Sequence, residues 1–154
     1  MFKKDKKTIA TVIFTVFISF VFIQSLFFKF AGAPETVHIF TTLDNWANDT
    51  FGISGLFLSP GVFNAYVIGS AELGASIMLI TGLITKFKIL TPLGALMALG
   101  IISGAITFHL FTPLGIEVQG DGGTLFFMAC GVWLSSVALI IMHKDKMLNL
   151  LKRS

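Results

Sequence analysis

Four long runs of apolar residues limit what this chain can fold into. The first run, residues 8–28, contains no charged residue, and its length matches the roughly 20 residues that a helix needs to cross about 30 Å of hydrocarbon. The other runs cover about residues 60–84, 89–111 and 124–142. Backbone polar groups find no water inside a bilayer, so runs of this kind are helical. We predict an all-α membrane protein, with residues 1–154 forming one domain built on a four-transmembrane-helix bundle.

The composition supports the membrane class and excludes others. Hydrophobic residues make up 55% of the 154 residues and charged residues 12%, whereas soluble domains average roughly 25% charged residues. The net charge of +3 comes from basic residues grouped beside the apolar runs, so we expect no nucleic-acid partner. The single cysteine, Cys130, excludes an intrachain disulfide and a thiolate metal cage.

The basic residues predict the orientation of the chain. With four spans, the N-terminus, the second connection and the C-terminus lie on one side of the membrane, and Lys29 falls on the other. By the positive-inside rule we expect both termini in the cytoplasm. The basic residues on the cytoplasmic side are Lys3, Lys4, Lys6, Lys7, Lys86, Lys88, Lys144, Lys146, Lys152 and Arg153.

A secretory signal peptide is the competing interpretation of the first run, with Ala31-Gly32-Ala33 as the cleavage site. We disfavour it because the run exceeds the usual length of about 7–15 residues for the apolar part of a signal peptide. Pro34 would also follow the cut, where a rigid residue without an N–H suits a protease poorly. The first run is therefore expected to persist as a membrane anchor.

Proline marks the expected starts of three helices. Ser59-Pro60 and Thr91-Pro92 each supply an N-cap residue followed by proline at the first helical position, opening the second and third spans. Pro34-Glu35 opens an amphipathic pattern in the first outer connection, where we expect a short helix. Its apolar face would cover the mouth of the bundle or rest among lipid headgroups. That face contains Ile39, Phe40, Leu43, Trp46 and Ala47.

Glu72 is the most deeply placed ionisable residue, near the centre of the second run. A charge at the bilayer centre costs roughly 2.5–3.5 kcal/mol on insertion scales, so such residues usually face the bundle interior and mark a functional site. Gly69, Ala75 and Ser76 neighbour Glu72 on a small-residue stripe that lets another helix approach. Two interpretations stay open: a protonated acid satisfied by a neighbouring helix, or a proton or polar-ligand site that includes Ser76.

Lys29, Gln24 and His109 are further ligand-binding candidates on the outward half of the bundle. Lys29 either anchors the first span by snorkelling or reaches inward toward Glu72 or an anionic ligand, with Gln24 about one turn deeper. Direct contact between Lys29 and Glu72 is marginal unless the second span is tilted or shifted outward. His109 is either a hydrogen-bonded interface residue or a ligand-binding residue. Haem ligation would need His109 with His38, and no close-spaced zinc ligands are present, so we predict no metal site.

Several segments, taken in order, resemble the DoxX family of small four-helix membrane proteins. They are Phe27-Phe28-Lys29, Gly69-Ser70-Ala71-Glu72-Leu73-Gly74, Leu79-Ile80-Thr81-Gly82-Leu83-Ile84-Thr85-Lys86, and Met97 through Ala105 to His109-Leu110. The resemblance covers about residues 12–139, although Lys86 stands where many members carry arginine. Carried over by position, it implies that Lys29, Glu72 and His109 contribute to a shared polar site.

The resemblance also implies what the protein does. The family takes its name from a subunit of an archaeal thiosulfate:quinone oxidoreductase, and some bacterial members are linked to membrane redox and thiol-stress systems. Similar folds in eukaryotes act as cargo receptors or assembly chaperones. Our first hypothesis is therefore a subunit in a bacterial cytoplasmic membrane that binds a quinone or another small ligand for a redox partner, with catalytic residues unknown.

Two alternatives come from other classes of function. The first is a non-enzymatic membrane chaperone or assembly protein that binds client membrane proteins, and the second is a small-solute transporter. Beyond the lipid bilayer, the expected partners are a redox or client membrane protein and further copies of the chain. Gly100-x-x-x-Gly104 in the third span is a close-packing signal, which would act within the bundle or between copies.

Overall fold

The residues that the structure describes fold into six helices, four of which are long and apolar enough to cross a membrane. The computed structural model describes residues 2–152, so Arg153 lies outside the described residues. The candidate spans are the Lys6–Ala31 part of α1 together with α3, α4 and α5. The expected all-α, four-span architecture is confirmed. The helices are α1 (Phe2–Ala31), α2 (Pro34–Phe51), α3 (Ala65–Ile84), α4 (Leu90–Phe111), α5 (Thr124–Met142) and α6 (Lys144–Leu151).

The four spanning helices form a closed ring of contacts. α1 packs against α3 and α5, and α4 packs against the same two helices. α3 and α4 approach closely, since a Cβ added to Gly94 would lie 2.9 Å from the backbone nitrogen of Leu79. Glycine there lets the two backbones touch. The main core is formed by Ile18, Phe22, Ala75, Leu79, Ala95, Ala98, Ile102, Ala129, Val132 and Leu139.

The outer surface of the ring is apolar, as a lipid-facing surface requires. In the apolar 18-residue stretch of each span, only 28–33% is buried. Large side chains such as Phe27 (73% exposed) and Ile77 (55% exposed) point away from the core. A soluble protein rarely exposes a patch of this extent. Gly100 and Gly104 have no neighbour within 4 Å of an added Cβ, so this glycine pair does not serve helix packing within the chain.

The two ends of the bundle differ in structure. We call the end where α1 finishes and α3 begins the capped end, and the opposite end, where α5 finishes, the basic end. At the capped end, α2 packs its apolar face against the 52–64 and 112–123 connections. The expected amphipathic helix is thus confirmed, and its face covers the bundle. This second core contains Phe40, Leu43, Ala47, Phe57, Leu114 and Val118.

Two aspartates hold the connections of the capped end in place. The carboxylate of Asp44, a residue only 6% exposed, accepts hydrogen bonds from the N–H groups of Phe57 (2.9 Å) and Gly55 (3.0 Å). These two bonds hold the pKa of Asp44 below its ordinary value. Asp121 accepts three backbone N–H bonds of 2.9 Å at the start of α5. Burial acts to raise the pKa of Asp121, but these bonds outweigh it and the pKa lies below the ordinary value.

The second span begins later than the sequence suggested. Residues 52–64 form a compact loop that contains Ser59-Pro60, and α3 starts at Ala65 rather than Pro60. The side chain of Asn64 is the actual N-cap, because its oxygen accepts from the N–H groups of Tyr66 (2.8 Å) and Val67 (3.1 Å). The prediction that Pro60 starts the helix was wrong because Asp44 ties the preceding residues to α2.

The late start of α3 moves Glu72 toward the capped end. Seven residues separate Ala65 from Glu72, which corresponds to about 10 Å of helix at 1.5 Å per residue. Twelve residues separate Glu72 from Ile84 at the basic end. The sequence predicted that Glu72 lies about half way along its helix. In the structure, Glu72 instead lies in the half of α3 that is nearer the capped end.

Candidate functional site

A buried ion pair joins α1 and α3 below the capped end. The Nζ of Lys29 lies 2.9 Å from Oε2 and 3.1 Å from Oε1 of Glu72. Ser25 completes the group: its Oγ lies 2.6 Å from Oε2 of Glu72 and accepts a hydrogen bond of 3.0 Å from Lys29. The side chains of Lys29 and Glu72 are 16% and 7% exposed. We call these three residues the Lys29–Ser25–Glu72 network.

Local sequence on both helices brings the network together. Ser25 and Lys29 are four residues apart and therefore share one face of α1. On α3, Gly69 precedes Glu72 by about one turn, and an added Cβ there would lie 2.8 Å from the ring of Phe30. The absence of a side chain at Gly69 lets α1 approach α3 closely. The close approach places the Glu72 carboxylate within reach of both polar groups of α1.

The Ser25 hydroxyl has two acceptors for its one proton. It lies 2.6 Å from Oε2 of Glu72 and 2.8 Å from the carbonyl oxygen of Phe22. When Glu72 is ionised, Ser25 can donate to the carboxylate. When Glu72 is protonated, the acid can donate to Ser25, which then donates to Phe22. Either form of the carboxyl group would thereby have a hydrogen-bond partner in Ser25.

Direct contact between Lys29 and Glu72 decides between two sequence interpretations. Lys29 reaches inward instead of snorkelling outward, and it contacts Glu72 without a bridging ligand. A helix that starts at Pro60 would place Glu72 so deep that contact with Lys29 is marginal. Because α3 starts at Ala65, Glu72 lies nearer the capped end and within reach of Lys29. Each residue of shift moves Glu72 by about 1.5 Å along the helix axis.

Two of the other sequence candidates lie outside the network. Gln24 is exposed, because it is one residue and about 100° around the helix from Ser25. Ser76 is 1% exposed, but its hydroxyl donates to the backbone carbonyl of Glu72 at 2.9 Å and not to the carboxylate. Sequence reasoning missed Ser25, although its spacing of four from Lys29 was the available signal.

His109 fastens the end of α4 to the capped end. Its Nδ1 lies 2.6 Å from the carbonyl oxygen of Gly115, so this nitrogen carries the proton and donates. The ring packs edge-on against Phe126 with centroids 5.7 Å apart, and the residue is 7% exposed. These contacts belong to the 112–123 connection and α5, not to Lys29 or Glu72. A role of His109 in binding a ligand stays a prediction.

The network lies apart from the open hollow on the capped end. The capped end carries an open hollow of about 700 Å³ lined in part by His38, Asn45 and Gln119, and neither Lys29 nor Glu72 lines it. Within residues 2–152, His, Cys, Asp and Glu side chains nowhere gather in a group of three or more that could hold a metal ion. Because Lys29 is on α1 and Glu72 on α3, the network lies along the α1–α3 edge of the bundle.

Aromatic side chains flank the network on that edge. The rings of Phe30 and Tyr66 are stacked with centroids 6.0 Å apart and an interplanar angle of 14°. They are 43% and 54% exposed. Phe30 follows Lys29 directly and lies over Gly69. A molecule that approaches Lys29 along the α1–α3 edge therefore meets an aromatic surface first.

Comparison with protein families matches residues 10–111 to the model of the DoxX family. The match ends with α4, whereas the sequence resemblance was expected to extend to about residue 139. It contains Lys29, Ser25 and Glu72 as well as His109. Searches of curated proteins and of solved structures gave no significant match. The family match covers well over half of this four-span membrane protein, and the chain belongs to the DoxX family.

Proposed function

We propose that this protein binds a quinone headgroup at the Lys29–Ser25–Glu72 network and serves as the binding subunit of a membrane redox system. The network carries the proposal: an ammonium, a hydroxyl and a carboxylate meet within apolar helices. Ionisable groups at membrane depth are costly, so a functional role is the default explanation of such a group. We further propose that the capped end faces outward and that both termini lie in the cytoplasm of a bacterial cell.

The residues around the network suit a ring that carries polar carbonyl groups. Lys29 carries N–H donors and Ser25 an O–H donor, and the carbonyl oxygen of a ligand can accept hydrogen bonds from both. Phe30 and Tyr66 offer an exposed aromatic surface beside them, against which a ring can stack. A bound quinone would supply the capacity to carry electrons and protons. The apolar surface of α1 and α3 would let such a lipid-soluble molecule arrive from the bilayer.

The contribution of the chain is to bind the headgroup and to hold a proton. Lys29 already contacts three acceptor atoms, so a ligand carbonyl would replace one of them. Loss of a Lys29 contact weakens the compensation of the Glu72 charge and favours protonation of the carboxylate. Ser25 can follow this change by donating to Phe22 instead of Glu72. Ligand binding and proton uptake would thus be coupled at one carboxyl group.

Binding of a soluble ubiquinone or menaquinone analogue to the purified protein tests the proposal. Ser25→Ala removes a donor to the ligand carbonyl, and Glu72→Gln removes the carboxylate that holds the Lys29 ammonium in place. Each should weaken binding by about tenfold, which corresponds to the loss of one hydrogen bond. Gln24→Ala is the matched control, because Gln24 is exposed and lies beside Ser25 on the same helix. Failure of the wild-type protein to bind either analogue, or equal loss in the control, would exclude quinone binding at this network.

Partner binding is the second candidate function, and the capped end favours it. Phe51 and Ile53, two residues apart at the end of α2, are 62% and 49% exposed there, and exposed apolar patches mark interaction sites. Phe40 and Trp46 are unsuitable for testing a partner surface, since Phe40 is buried and Trp46 packs on Phe51 and Phe108.

A pull-down in gentle detergent separates the two functions. A stoichiometric protein partner that is retained by Glu72→Gln but lost in a Phe51→Ser/Ile53→Ser variant would support partner binding. A partner retained by both variants would show that this surface is not the binding site.

A further inference from the structure

The loop between α2 and α3 carries large apolar side chains on its outside. Leu58, Val62 and Phe63 are 40%, 63% and 47% exposed. Single exposed apolar side chains are normal on a soluble protein, whereas a group of them marks a surface that contacts a partner or a membrane. We call Leu58, Val62 and Phe63 the loop surface.

Charge is absent from this part of the chain. The sequence contains neither a charged residue nor a histidine between Asp49 and Glu72. The 112–123 connection lies at the same end of the bundle but contains Glu117 and Asp121. Transfer of a charge into hydrocarbon is costly. The 52–64 loop therefore suits an apolar surrounding better than its neighbour does.

The backbone of the loop is also suited to an apolar surrounding. An N–H group without a partner is costly in lipid, where no water replaces the missing bond. The N–H groups of Gly55 and Phe57 donate to the Asp44 carboxylate at 3.0 and 2.9 Å. The N–H of Phe63 donates to the carbonyl of Leu56 at 3.1 Å. These donors are satisfied by the protein itself and need no water.

Close packing holds the loop in one shape. A Cβ on Gly61 would collide with the carbonyl oxygens of Gly55 and Leu56, so the two halves of the loop are in backbone contact. The Nδ2 of Asn64 donates to the carbonyl of Gly61 at 2.6 Å, and its Oδ1 accepts from the N–H of Tyr66 at 2.8 Å. The loop surface is thereby held on the outside of a compact loop.

The loop surface continues along the chain into the lipid-facing side of α3. Phe63 lies two residues before Ala65, where the candidate span begins. Tyr66 and Val67 lie in the first turn of α3 and are 54% and 47% exposed. Exposed apolar side chains thus run without an intervening charge from the loop into a helix whose outer side faces lipid.

We propose that the loop surface inserts into the lipid leaflet at the capped end. Exposed apolar side chains, absence of charge and internally bonded backbone donors are what such an insertion requires. A protein partner would explain the exposed side chains but not the other two features, because a protein interface supplies polar contacts of its own. Insertion would anchor the residues before Ala65 and thereby fix the depth of α3, on which the position of Glu72 depends.

A polarity-sensitive fluorescent label on the full chain in phospholipid nanodiscs tests the proposal. The test variant is Val62→Cys in a Cys130→Ala background, so that each protein carries one labelled cysteine. Asn45→Cys is the control for water, because Asn45 is exposed and lines the open hollow. Val67→Cys is the control for lipid. Lipids with brominated acyl chains quench a label in the bilayer, and iodide quenches a label in water.

The label at position 62 should lie about 5–10 Å into the boundary between headgroups and acyl chains. Brominated lipid should therefore quench it at least about fivefold more than the label at position 45, and within about twofold of the label at position 67. Iodide should give the opposite order. Tryptophan fluorescence during thermal unfolding checks that each variant is folded. If Val62→Cys does not fold, Leu58→Cys should give the same pattern.

Two results would overturn the proposal. Equal quenching by iodide at positions 62 and 45 would place the loop surface in water, where a soluble protein partner could bind it. Protection of position 62 from both quenchers would show that a second copy of the chain, and not lipid, covers the loop surface.

Discussion

Removing one partner of the Lys29–Glu72 pair should cost more stability than removing both. At an effective dielectric constant of about 20, Coulomb's law gives roughly 6 kcal/mol of attraction at their separation of 2.9 Å. Burial of both charges offsets much of this attraction, and breaking a fully buried pair costs about 3–5 kcal/mol because one charge is left alone. The Lys29 side chain keeps 16% exposure, so we expect Lys29→Met to cost about 2–4 kcal/mol.

The double variant Lys29→Met/Glu72→Met removes both charges and should lie within about 1 kcal/mol of wild type, since an apolar pair of similar volume replaces a buried ion pair well. Unfolding in mixed micelles with increasing dodecyl sulfate, followed by the fluorescence of Trp46 and Trp133, measures all variants. Lys86→Met, at an exposed lysine, is the control and should change stability by less than about 0.5 kcal/mol. Additive effects of the two single substitutions would refute a direct ion pair.

Three further predictions concern the cap and the core. The pKa of Asp44 lies below its ordinary value of 3.8, so the stability that the ionised carboxylate contributes is fully present above pH 3.8 and is lost as the pH falls through the lowered pKa. Asp44→Asn should remove this pH dependence of thermal unfolding. Thr15→Val should raise the free energy of unfolding by about 1 kcal/mol, because the buried Thr15 hydroxyl has no partner among the described atoms. Thr11→Val, which removes a bonded hydroxyl, should not. Gly94→Ala should cost about 1–3 kcal/mol in the same assay, because its Cβ would press on α3, whereas Gly104→Ala should be neutral or stabilising.

Each of these predictions has a contradicting result. A pH profile that is the same for wild type and Asp44→Asn would show that Asp44 does not hold the loop through its ionised form. A loss of stability in Thr15→Val would mean that a bound water satisfies the hydroxyl. Equal effects at Gly94 and Gly104 would contradict the close approach of α3 and α4.

The spans could be predicted from sequence because length and apolarity alone determine a membrane helix. The start of α3 could not, since Ser59-Pro60 and Asn64 carry equally good local signals for a helix start. The choice between them depends on the hydrogen bonds that the N–H groups of Gly55 and Phe57 donate to Asp44, which join residues more than ten positions apart. Local patterns do not contain this information.

The residues of the candidate site also differ in whether the local sequence was enough to identify them. Lys29 and Glu72 were identified because charges are conspicuous in apolar runs. Ser25 was missed because serine is common in membrane helices, and its role depends on the axial position of α3. His109 was expected near the other two residues. Its bond to Gly115 instead depends on how the 112–123 connection folds back.

The packing of α2 implies an order of assembly during synthesis. Phe40 and Leu43 lie in the connection that follows α1, but they pack on Leu114 and Val118, which follow α4. The cap therefore cannot close until the ribosome has made all four of these residues and α4 has entered the membrane. Until then, the apolar face of α2 has only the 52–64 connection as an internal partner, and the part that later covers Leu114 and Val118 would rest on the lipid surface. The helix that covers the finished bundle thus begins as a peripheral membrane helix and becomes part of the core only late in folding.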